Sequence, residues 1–212
     1  MWRARRRTIV IGVTGPIGAG KTRAVGLFRR AGAVVVDADL IGKGVTGSPS
    51  VLKTLTRWIG PQAQITRGTR GTLNTRVVAD FVFGDSSGRR LARFNRLVRP
   101  TLVRQILVDI SKARKSSIPL VALDAALLPD WPSVLRQIDF VVVVTAPRAI
   151  RQRRIIARGL TPAEGRRRIE SEIPLYRYRR IANLILRNPG SIANLGTAVR
   201  ACLLRLQSAP DA

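Results

Sequence analysis

The stretch GVTGPIGAGKT, residues 12–22, decides the fold prediction, because it carries the pattern G-x-x-x-x-G-K-[ST] between a predicted strand and a predicted helix. Glycines let successive backbone N–H groups turn inward around phosphate oxygens, and the start of a helix adds its positive end. In such a loop the lysine reaches the β- and γ-phosphates, and the following hydroxyl can ligate Mg²⁺. The stretch predicts a nucleoside triphosphate site; the alternative is a glycine-rich turn without a ligand. The predicted binding residues are Gly15, Gly18, Ala19, Gly20, Lys21 and Thr22.

Strands and helices alternate along the rest of the chain. Short apolar runs predict strands over residues 7–13, 33–37, 118–124, 138–144 and 182–188. Helical patterns are found over residues 20–32, 49–58, 75–83, 89–114, 147–158, 161–173 and 191–207, with an interruption at Pro100. Thr161 and Glu164 form a predicted capping box. The alternation is typical of an α/β fold with a parallel sheet covered by helices on both faces and ligands beyond the carboxyl ends of the strands.

Composition excludes several classes of site. The chain has 212 residues, no histidine and one cysteine, Cys202. Without histidine there is no Ser-His-Asp triad, Cys-His pair or histidine-ligated metal, and one cysteine cannot form an intrachain disulfide. No apolar run reaches the length of a membrane span, and the basic start leads into the first strand without a signal-peptide cleavage site. We therefore expect a soluble cytoplasmic protein with a basic tail at residues 1–7 and a single domain over residues 8–208.

The net charge of +26, from 38 basic and 12 acidic residues, is extreme. Such a chain attracts polyanions, including nucleic acids. Arginine supplies 33 of the basic residues, and they are scattered along the chain, as an arginine-rich codon bias would also produce. Nucleic-acid contact is therefore compatible with the charge but is not expected to be the function.

Because acids are scarce, three aspartates near predicted strand ends are candidate functional residues. Asp37 ends the second predicted strand and Asp39 follows two residues later, so both are expected on the ligand-binding rim. A carboxylate there can accept a proton from an attacking hydroxyl or hold Mg²⁺ through water, whereas the alternative for Asp39 is a helix N-cap. Asp37 is the preferred base. Asp124 ends another apolar strand, as a Walker B carboxylate near a metal does, or is an ordinary turn residue.

An arginine cluster follows the fourth predicted strand. Its members are Arg151, Arg153, Arg154, Arg158, Arg166, Arg167 and Arg168. In small-molecule phosphotransferases, arginines on a mobile helical lid neutralise charge on the transferred group; the alternative is a solvated basic face. Arg154 and Arg158 are four residues apart, which places them on one face of a helix, so we favour these two.

Taken in order, these motifs resemble the dephospho-coenzyme A kinase family over residues 8–206. The family loop G-x-I-G-[SA]-G-K-[ST] is matched by TGPIGAGKT, and the family motif V-I-D-A-D by the stretch AVVVDADLIG. Later matches are VVADFVFGD, VALDAALLPD, RRIIARGLTPAE, RIESEIPL and ANLILRNPGS.

The resemblance implies a P-loop kinase fold with a helical substrate-binding region and a small helical lid over residues 148–181. It implies ATP- and Mg²⁺-dependent phosphorylation of the ribose 3′-hydroxyl of dephospho-coenzyme A, which gives coenzyme A and ADP in the last step of coenzyme A synthesis. By position it assigns Gly18–Arg23 to the ATP phosphates, Asp37 to the base, and Arg154 and Arg158 to the lid. Thr22 and Asp124 are the expected metal ligands. We expect a monomer.

The chain departs from the family pattern mainly on the acceptor side. In the loop, Pro16 replaces a usual glycine, and Arg23 replaces a usual Thr or Ser. The other departures are Arg99 for histidine, Ala126 for proline, Pro129 for an aromatic residue, Asp130 for glutamate, Glu172 for glutamine and Asn183 for aspartate. Two alternatives stay open, a different P-loop nucleoside or nucleotide kinase and a degenerate kinase that binds RNA or another polyanion. The joint presence of Lys21, Thr22 and Asp37 favours a working kinase.

Overall fold

The computed structural model describes residues 7–67, 70–190 and 192–208. Within these ranges the chain forms two compact units. The first unit holds the described residues up to Asp37 and those from Leu107 onward, and the second holds Ala38–Ile106. Apart from Arg7, the predicted basic tail lies outside the described residues. No helix in the described ranges is long and apolar enough to cross a membrane.

The described residues form seven strands and ten α-helices. The strands are β1 (Ile9–Thr14), β2 (Val34–Asp37), β3 (Gln64–Arg67), β4 (Arg70–Leu73), β5 (Leu120–Asp124), β6 (Phe140–Thr145) and β7 (Leu184–Arg187). The helices are α1 (Lys21–Arg30), α2 (Ala38–Thr46), α3 (Pro49–Ile59), α4 (Thr75–Phe83), α5 (Arg89–Lys115), α6 (Pro132–Leu135), α7 (Arg148–Ile156), α8 (Pro162–Glu170), α9 (Leu175–Ile181) and α10 (Ile192–Ser208).

The first unit is built on a parallel sheet with β1 at its centre and the strand order β2-β5-β1-β6-β7. Every residue of β1 is buried, which is why its sequence is continuously apolar rather than alternating. Parallel neighbours need crossover connections, and helices supply them. The predicted α/β fold with a parallel sheet flanked by helices is confirmed.

One face of this sheet packs against α1 and α10. Ile11 and Val13 of β1 share a core with Phe28 of α1. The contribution of α10 recurs every three or four residues and consists of Leu195, Val199, Cys202 and Leu206, the apolar stripe of an amphipathic helix. Burying each large apolar side chain stabilises the fold by roughly 1.5–3 kcal/mol. This core fixes α1, the helix that directly follows the glycine-rich loop.

Cys202 gives a test of this packing. Its side chain is 1% exposed, and burial raises the pKa of its thiol to about 11. Because the thiolate is the reactive form, we expect the native protein to resist a thiol-specific disulfide reagent at mildly alkaline pH and to react fully after denaturation. Rapid labelling of the native protein would contradict the packing of α10 on the sheet.

The second unit is mainly helical and has its own core. Leu55 and Ile59 of α3 pack with Val78 of α4, and the rings of Trp58 and Phe81 meet edge to face at 5.3 Å. The predicted helices over residues 49–58 and 75–83 are thus confirmed as α3 and α4. The antiparallel hairpin β3–β4 was not predicted, because its sequence lacks apolar alternation.

Helix α5 runs without a break through Pro100, so the predicted interruption is wrong. A proline inside a helix removes one backbone hydrogen bond and crowds the preceding turn, a cost that the rest of this long helix outweighs. Asp85 holds its start by accepting hydrogen bonds from the Ser87 hydroxyl and from the Arg90 N–H. These bonds lower the pKa of the Asp85 carboxyl to about 2.

The predicted capping box at the start of α8 is confirmed. The Thr161 hydroxyl accepts from the Glu164 N–H, and the Glu164 carboxylate accepts from the Thr161 N–H at 2.8 Å. The predicted helix over residues 161–173 ends earlier, at Glu170, and a separate helix, α9, follows Pro174. A proline there permits a new helix start but not continuation of the previous helix.

Candidate nucleotide-binding site

The carboxyl ends of the five parallel strands share one edge of the sheet. At that edge the glycine-rich loop leaves the central strand β1, Asp37 ends β2, Asp124 ends β5, and Asn188 follows β7. Ligands of open parallel sheets bind at this edge. The fold therefore brings the predicted loop and two of the predicted carboxylates to one rim.

Two loop glycines are required by both conformation and space. Gly15 has a φ of 138°, and a Cβ on it would lie 2.1 Å from the carbonyl oxygen of Val144 in β6. Gly18 has a φ of 74°, and its Cβ would lie 2.7 Å from the carbonyl oxygen of Arg151 in α7. Such φ values strongly favour glycine, and neither backbone oxygen can rotate away. The loop thus packs directly on β6 and α7.

Side chains from α7 and from the end of β7 bind the carbonyl groups of the loop. Arg154 Nη1 donates to the carbonyl oxygens of Gly18 and Ala19, at 3.2 Å in both cases. Asn188 Nδ2 donates to the Ala19 carbonyl oxygen at 2.8 Å, and Arg154 Nη2 donates to the Asn188 carbonyl oxygen at 3.2 Å. Asn188 is 2% exposed, so water does not compete for its bond. A Cβ on Gly20 would lie 2.2 Å from Asn188 Nδ2, which shows how closely the amide packs.

These contacts fix the direction of the loop amides. In a trans peptide the C=O and N–H bonds point in opposite directions, and the described residues contain no cis peptide. Because the carbonyls of Gly18 and Ala19 bind Arg154 and Asn188, the N–H groups of the following residues turn to the other side of the loop. The Ala19 N–H closes a turn onto the Pro16 carbonyl at 3.2 Å. The Gly20 N–H is thereby turned away from the bound Ala19 carbonyl, an orientation that suits an anion-binding concavity of amides.

The helix that follows the loop begins without a side-chain cap. Its N-cap residue is Gly20, and its first turn contains no acidic residue. The first N–H groups of a helix lack intrahelical partners and carry the positive end of the helix dipole, so this end suits an anion. Lys21 Nζ donates to the Gly15 carbonyl oxygen at 2.9 Å, which folds the ammonium group across the loop. A helix start and an ammonium group are the kinds of group that bind phosphates in proteins.

Asp37 and Asp124 are neighbours in the sheet. The register pairs Asp37 with Asp124 and Asp124 with Val13, and adjacent strands are typically about 4.8 Å apart. Val13 and Ala122 face the core beneath α1, so by alternation Asp124 and Asp37 point toward that same face. Thr22 lies in the first turn of α1. The two carboxylates are consequently on the face of the sheet that this helix covers.

Three guanidinium groups lie near one another beside the loop. Burial lowers the pKa of Arg154, and the positive charges of Arg23 and Arg158 lower it further. An anion that binds there relieves this repulsion. Arg158 lies beyond α7, which ends at Ile156, so the prediction that Arg158 shares a helix face with Arg154 is wrong. The turn after α7 brings the two charges together instead.

The segment that follows β5 is tied to β1 and α9. The Ala126 carbonyl oxygen accepts from Tyr178 Oη at 3.1 Å and from Thr14 Oγ1 at 3.3 Å. Burial raises the pKa of Tyr178, so its hydroxyl stays protonated as the donor. Asp130 forms an ion pair with Arg177 of α9 at 2.8 Å. The departures from the family pattern at positions 126 and 130 thus belong to an internally bonded segment.

We expect Asn188→Ala to loosen the loop. The change removes the donor to the Ala19 carbonyl, and the loss of a buried hydrogen-bond partner costs roughly 1–3 kcal/mol. The free energy of unfolding, measured by denaturant titration, should fall by about that amount, and ATP should bind more weakly in calorimetric titration. Arg187→Ala, at the exposed neighbouring position, is the control. Equal effects in the two variants would contradict the role of the Asn188 amide.

Sequence comparison decides the family. The model of the family described as CoaE, dephospho-CoA kinase, matches residues 9–194. The chain belongs to the dephospho-CoA kinase family. The resemblance predicted from the motifs is thereby confirmed, and the chain is an enzyme of a kinase family, a membership that implies the use of ATP.

Individual comparisons cover nearly the whole chain. A dephospho-CoA kinase of Enterococcus faecalis is 32% identical over 189 residues, covering 87% of this chain and 90% of its own. The solved structure of TT1252 from Thermus thermophilus has a TM-score of 0.73 at 31% identity and covers 95% of this chain and 99% of its own. A dephospho-CoA kinase from Campylobacter jejuni has a TM-score of 0.68 at 16% identity, covering 93% and 96% of the two chains. That last likeness concerns the fold alone.

The first unit of this dephospho-CoA kinase family member carries most of the predicted site. It contains the whole loop, Asp37, Asp124, Arg154 and Arg158, whereas Asp39 and Arg99 belong to the second unit. Asp39 lies within the first turn of α2 rather than before it, so the alternative interpretation of Asp39 as a helix N-cap is wrong. Asn183 accepts from the Val141 N–H at 2.7 Å, which joins β7 to β6.

Asn188 is a site residue that was not predicted from the sequence. It is part of the stretch ANLILRNPGS that carries the family resemblance, so a signal was present. Nothing in that stretch indicated its partner, because Asn188 meets Ala19 across 169 positions of sequence.

Proposed function

We propose that this protein transfers the γ-phosphoryl group of ATP to the ribose 3′-hydroxyl of dephospho-coenzyme A, giving coenzyme A and ADP. The proposal is carried by one observation at the carboxyl edge of the sheet. There the glycine-rich loop, whose carbonyls are bound by Arg154 and Asn188, shares the edge with the carboxylates of Asp37 and Asp124. Family membership supplies the acceptor. The reaction would be the last step of coenzyme A synthesis.

The loop amides and Lys21 are proposed to bind the β- and γ-phosphates, with Gly15, Gly18, Ala19, Gly20, Thr22 and Arg23 completing the nucleotide contacts. Phosphoryl transfer needs little covalent chemistry from the protein, so positioning and charge stabilisation account for most of the catalysis. An arrangement already held by Arg154 and Asn188 needs little reorganisation when the nucleotide binds.

Asp37 is proposed as the base that orients the acceptor hydroxyl and accepts its proton. A general base of this kind must lie within hydrogen-bond reach of that proton, and the position of Asp37 at the end of β2 supports this role for an acceptor bound over the rim. Asp39 is the alternative base.

Arg154 and Arg158 are proposed to neutralise charge that develops on the transferred group, together with Arg23. Burial lowers the pKa of Arg154 most, and the charges of Arg23 and Arg158 lower it further; the closeness of three positive charges supports an anion as the partner of this cluster. Arg154 would keep its contacts with the loop carbonyls while one side of its guanidinium faces the phosphates.

Mg²⁺ is the proposed metal, held by the Thr22 hydroxyl and the Asp124 carboxylate. The described residues contain no group of three or more metal-ligating side chains, which suits Mg²⁺ because it keeps several waters and binds through one or two carboxylates plus substrate phosphates. When bound, the metal would neutralise phosphate charge. We further propose that the protein is a monomer and acts in the cytoplasm, where thiols such as that of its single cysteine are kept reduced.

Acceptor profiling tests the proposed reaction. Purified protein with ATP and Mg²⁺ should release ADP rapidly with dephospho-coenzyme A and slowly with nucleosides, nucleoside monophosphates or shikimate. A mass increase of one phosphate on the acceptor would identify the product. Faster turnover with another acceptor would assign a different P-loop kinase activity, and tight RNA binding without any ADP release would indicate a degenerate kinase.

A further inference from the structure

The peptide groups on both sides of Ile17, in the outer part of the loop, are bound by one ion pair. Glu172 Oε2 accepts from the Ile17 N–H at 2.9 Å, and Arg151 Nη1 donates to the Ile17 carbonyl oxygen at 3.3 Å. Arg151 and Glu172 are hydrogen-bonded to each other through Nη1 and Oε1. These three contacts close a ring that links the loop, α7 and the segment between α8 and α9.

This ion pair is largely shielded from water. The side chain of Arg151 is 11% exposed and that of Glu172 is 16% exposed. Charges in such a position are costly unless they are paired, and the chain has only 12 acidic residues to place. The Arg151 backbone also packs against Gly18, so this one residue contacts the loop through both its main chain and its side chain.

The charge of Glu172 needs compensation at this place. Accepting a hydrogen bond from the Ile17 N–H requires only an oxygen atom, which the uncharged amide of a glutamine would also provide. A carboxylate beside a triphosphate site adds repulsion toward the ligand. The positive charge of Arg151 cancels the negative charge of Glu172. The same guanidinium group also donates to the carbonyl oxygen of Ile17.

We propose that Arg151 and Glu172 act together as positioning residues that hold the outer part of the nucleotide loop in a charge-neutral clip. Neither residue is assigned contact with the reacting atoms. The inference rests on the proposed function, since it takes the loop to bind a triphosphate. It goes further by assigning to this ion pair the control of nucleotide affinity.

A double-mutant cycle tests the clip, with the dissociation constant of a fluorescent ATP analogue as its first readout. Arg151→Met leaves the Glu172 carboxylate uncompensated and should weaken binding by about tenfold or more, in line with coupling inside ion-pair networks. Glu172→Gln keeps an acceptor for the Ile17 N–H and should weaken binding by only about threefold. The double variant should bind the analogue more tightly than Arg151→Met, because the uncompensated carboxylate is gone, but less tightly than Glu172→Gln, because the donor to the Ile17 carbonyl is still missing.

Steady-state kinetics give the second readout. A positioning role in nucleotide binding predicts that Arg151→Met raises the KM for ATP by a similar factor and changes kcat much less. A merely structural role would lower the free energy of unfolding without this selective change. A merely structural role would also predict that the double variant binds the ATP analogue no more tightly than Arg151→Met does.

A second ion pair between α7 and the end of α8 offers a matched control. Arg148 of α7 and Glu170 of α8 form an ion pair at 3.4 Å with side chains 62% and 61% exposed. Exposed pairs of this kind contribute little, so Arg148→Met and Glu170→Gln should leave both the affinity for the analogue and the KM for ATP at wild-type values. Equal effects at the two pairs would overturn the proposal.

The remaining outcomes separate the clip from the reaction. If Arg151→Met does not fold, Arg151→Lys keeps the charge and should bind the analogue better than Arg151→Gln; equal affinities of those two variants would overturn the proposal. If the wild-type protein binds the analogue but does not phosphorylate dephospho-coenzyme A, the proposed function fails while the binding cycle still tests the clip. Wild-type affinity in Arg151→Met would overturn the clip and leave the proposed function intact.

Discussion

Lys21→Ala is expected to remove nearly all turnover. Lys21 brings the one ammonium group that the structure folds across the loop, where it donates to the Gly15 carbonyl. Loss of one preorganised charge contact to a reacting group lowers kcat by on the order of 10²–10³, and ATP affinity should fall as well. The kcat of the purified variant is measured with a coupled assay of ADP release.

The control for this variant is Lys112→Ala. Lys112 is an exposed residue in the last turn of α5, and its loss makes the same change in net charge. Wild-type turnover is expected there. If Lys21→Ala kept its activity, the loop would not be the phosphate site.

Asp37→Asn is expected to separate catalysis from binding. The amide keeps the shape of the side chain but cannot accept the proton of the acceptor hydroxyl. General-base catalysis typically contributes about 10²–10⁴ in rate, so kcat should fall by about that factor while the dissociation constant of ATP changes little.

The Asp39→Asn variant distinguishes the two candidate bases. We expect it to lose far less activity than Asp37→Asn, because Asp37 shares the sheet register with Asp124 whereas Asp39 lies within the first turn of α2. The reverse order of activities would transfer the role of base to Asp39. Full activity of both variants would show that neither Asp37 nor Asp39 acts as the base.

The glycine-rich loop was predictable because its information is local. Gly15 and Gly18 occupy positions where the backbone needs a positive φ and where a neighbouring main chain leaves no room for a Cβ. The glycines in the sequence pattern follow directly from these two constraints. Asp37 and Asp124 were predictable as strand ends for a similar reason, since each follows directly on a continuous apolar run.

Their adjacency was not predictable from the chain alone. Residues 37 and 124 become neighbours only because β2 pairs with β5 rather than with β1. The order of strands in a sheet depends on packing between distant segments, and no local pattern encodes it. The site is therefore a property of the topology, while its parts are properties of the sequence.

Arg151 shows the same limit more sharply. In the sequence it is one arginine among seven in a cluster, and a solvated basic face was an open interpretation of all of them. In the structure its side chain is 11% exposed and binds Glu172, whereas Arg153 on the same helix is exposed. Charge composition cannot distinguish these two arginines, because their burial is decided by where α7 docks against the loop.

The most direct test of the account is a crystal structure of the protein with Mg²⁺ and a non-hydrolysable ATP analogue. We expect the β- and γ-phosphates to lie within hydrogen-bond distance of the amides of Gly20, Lys21 and Thr22, and Lys21 Nζ to have moved from the Gly15 carbonyl to a phosphate oxygen. An analogue bound elsewhere, or phosphates that leave those amides unengaged, would contradict the account.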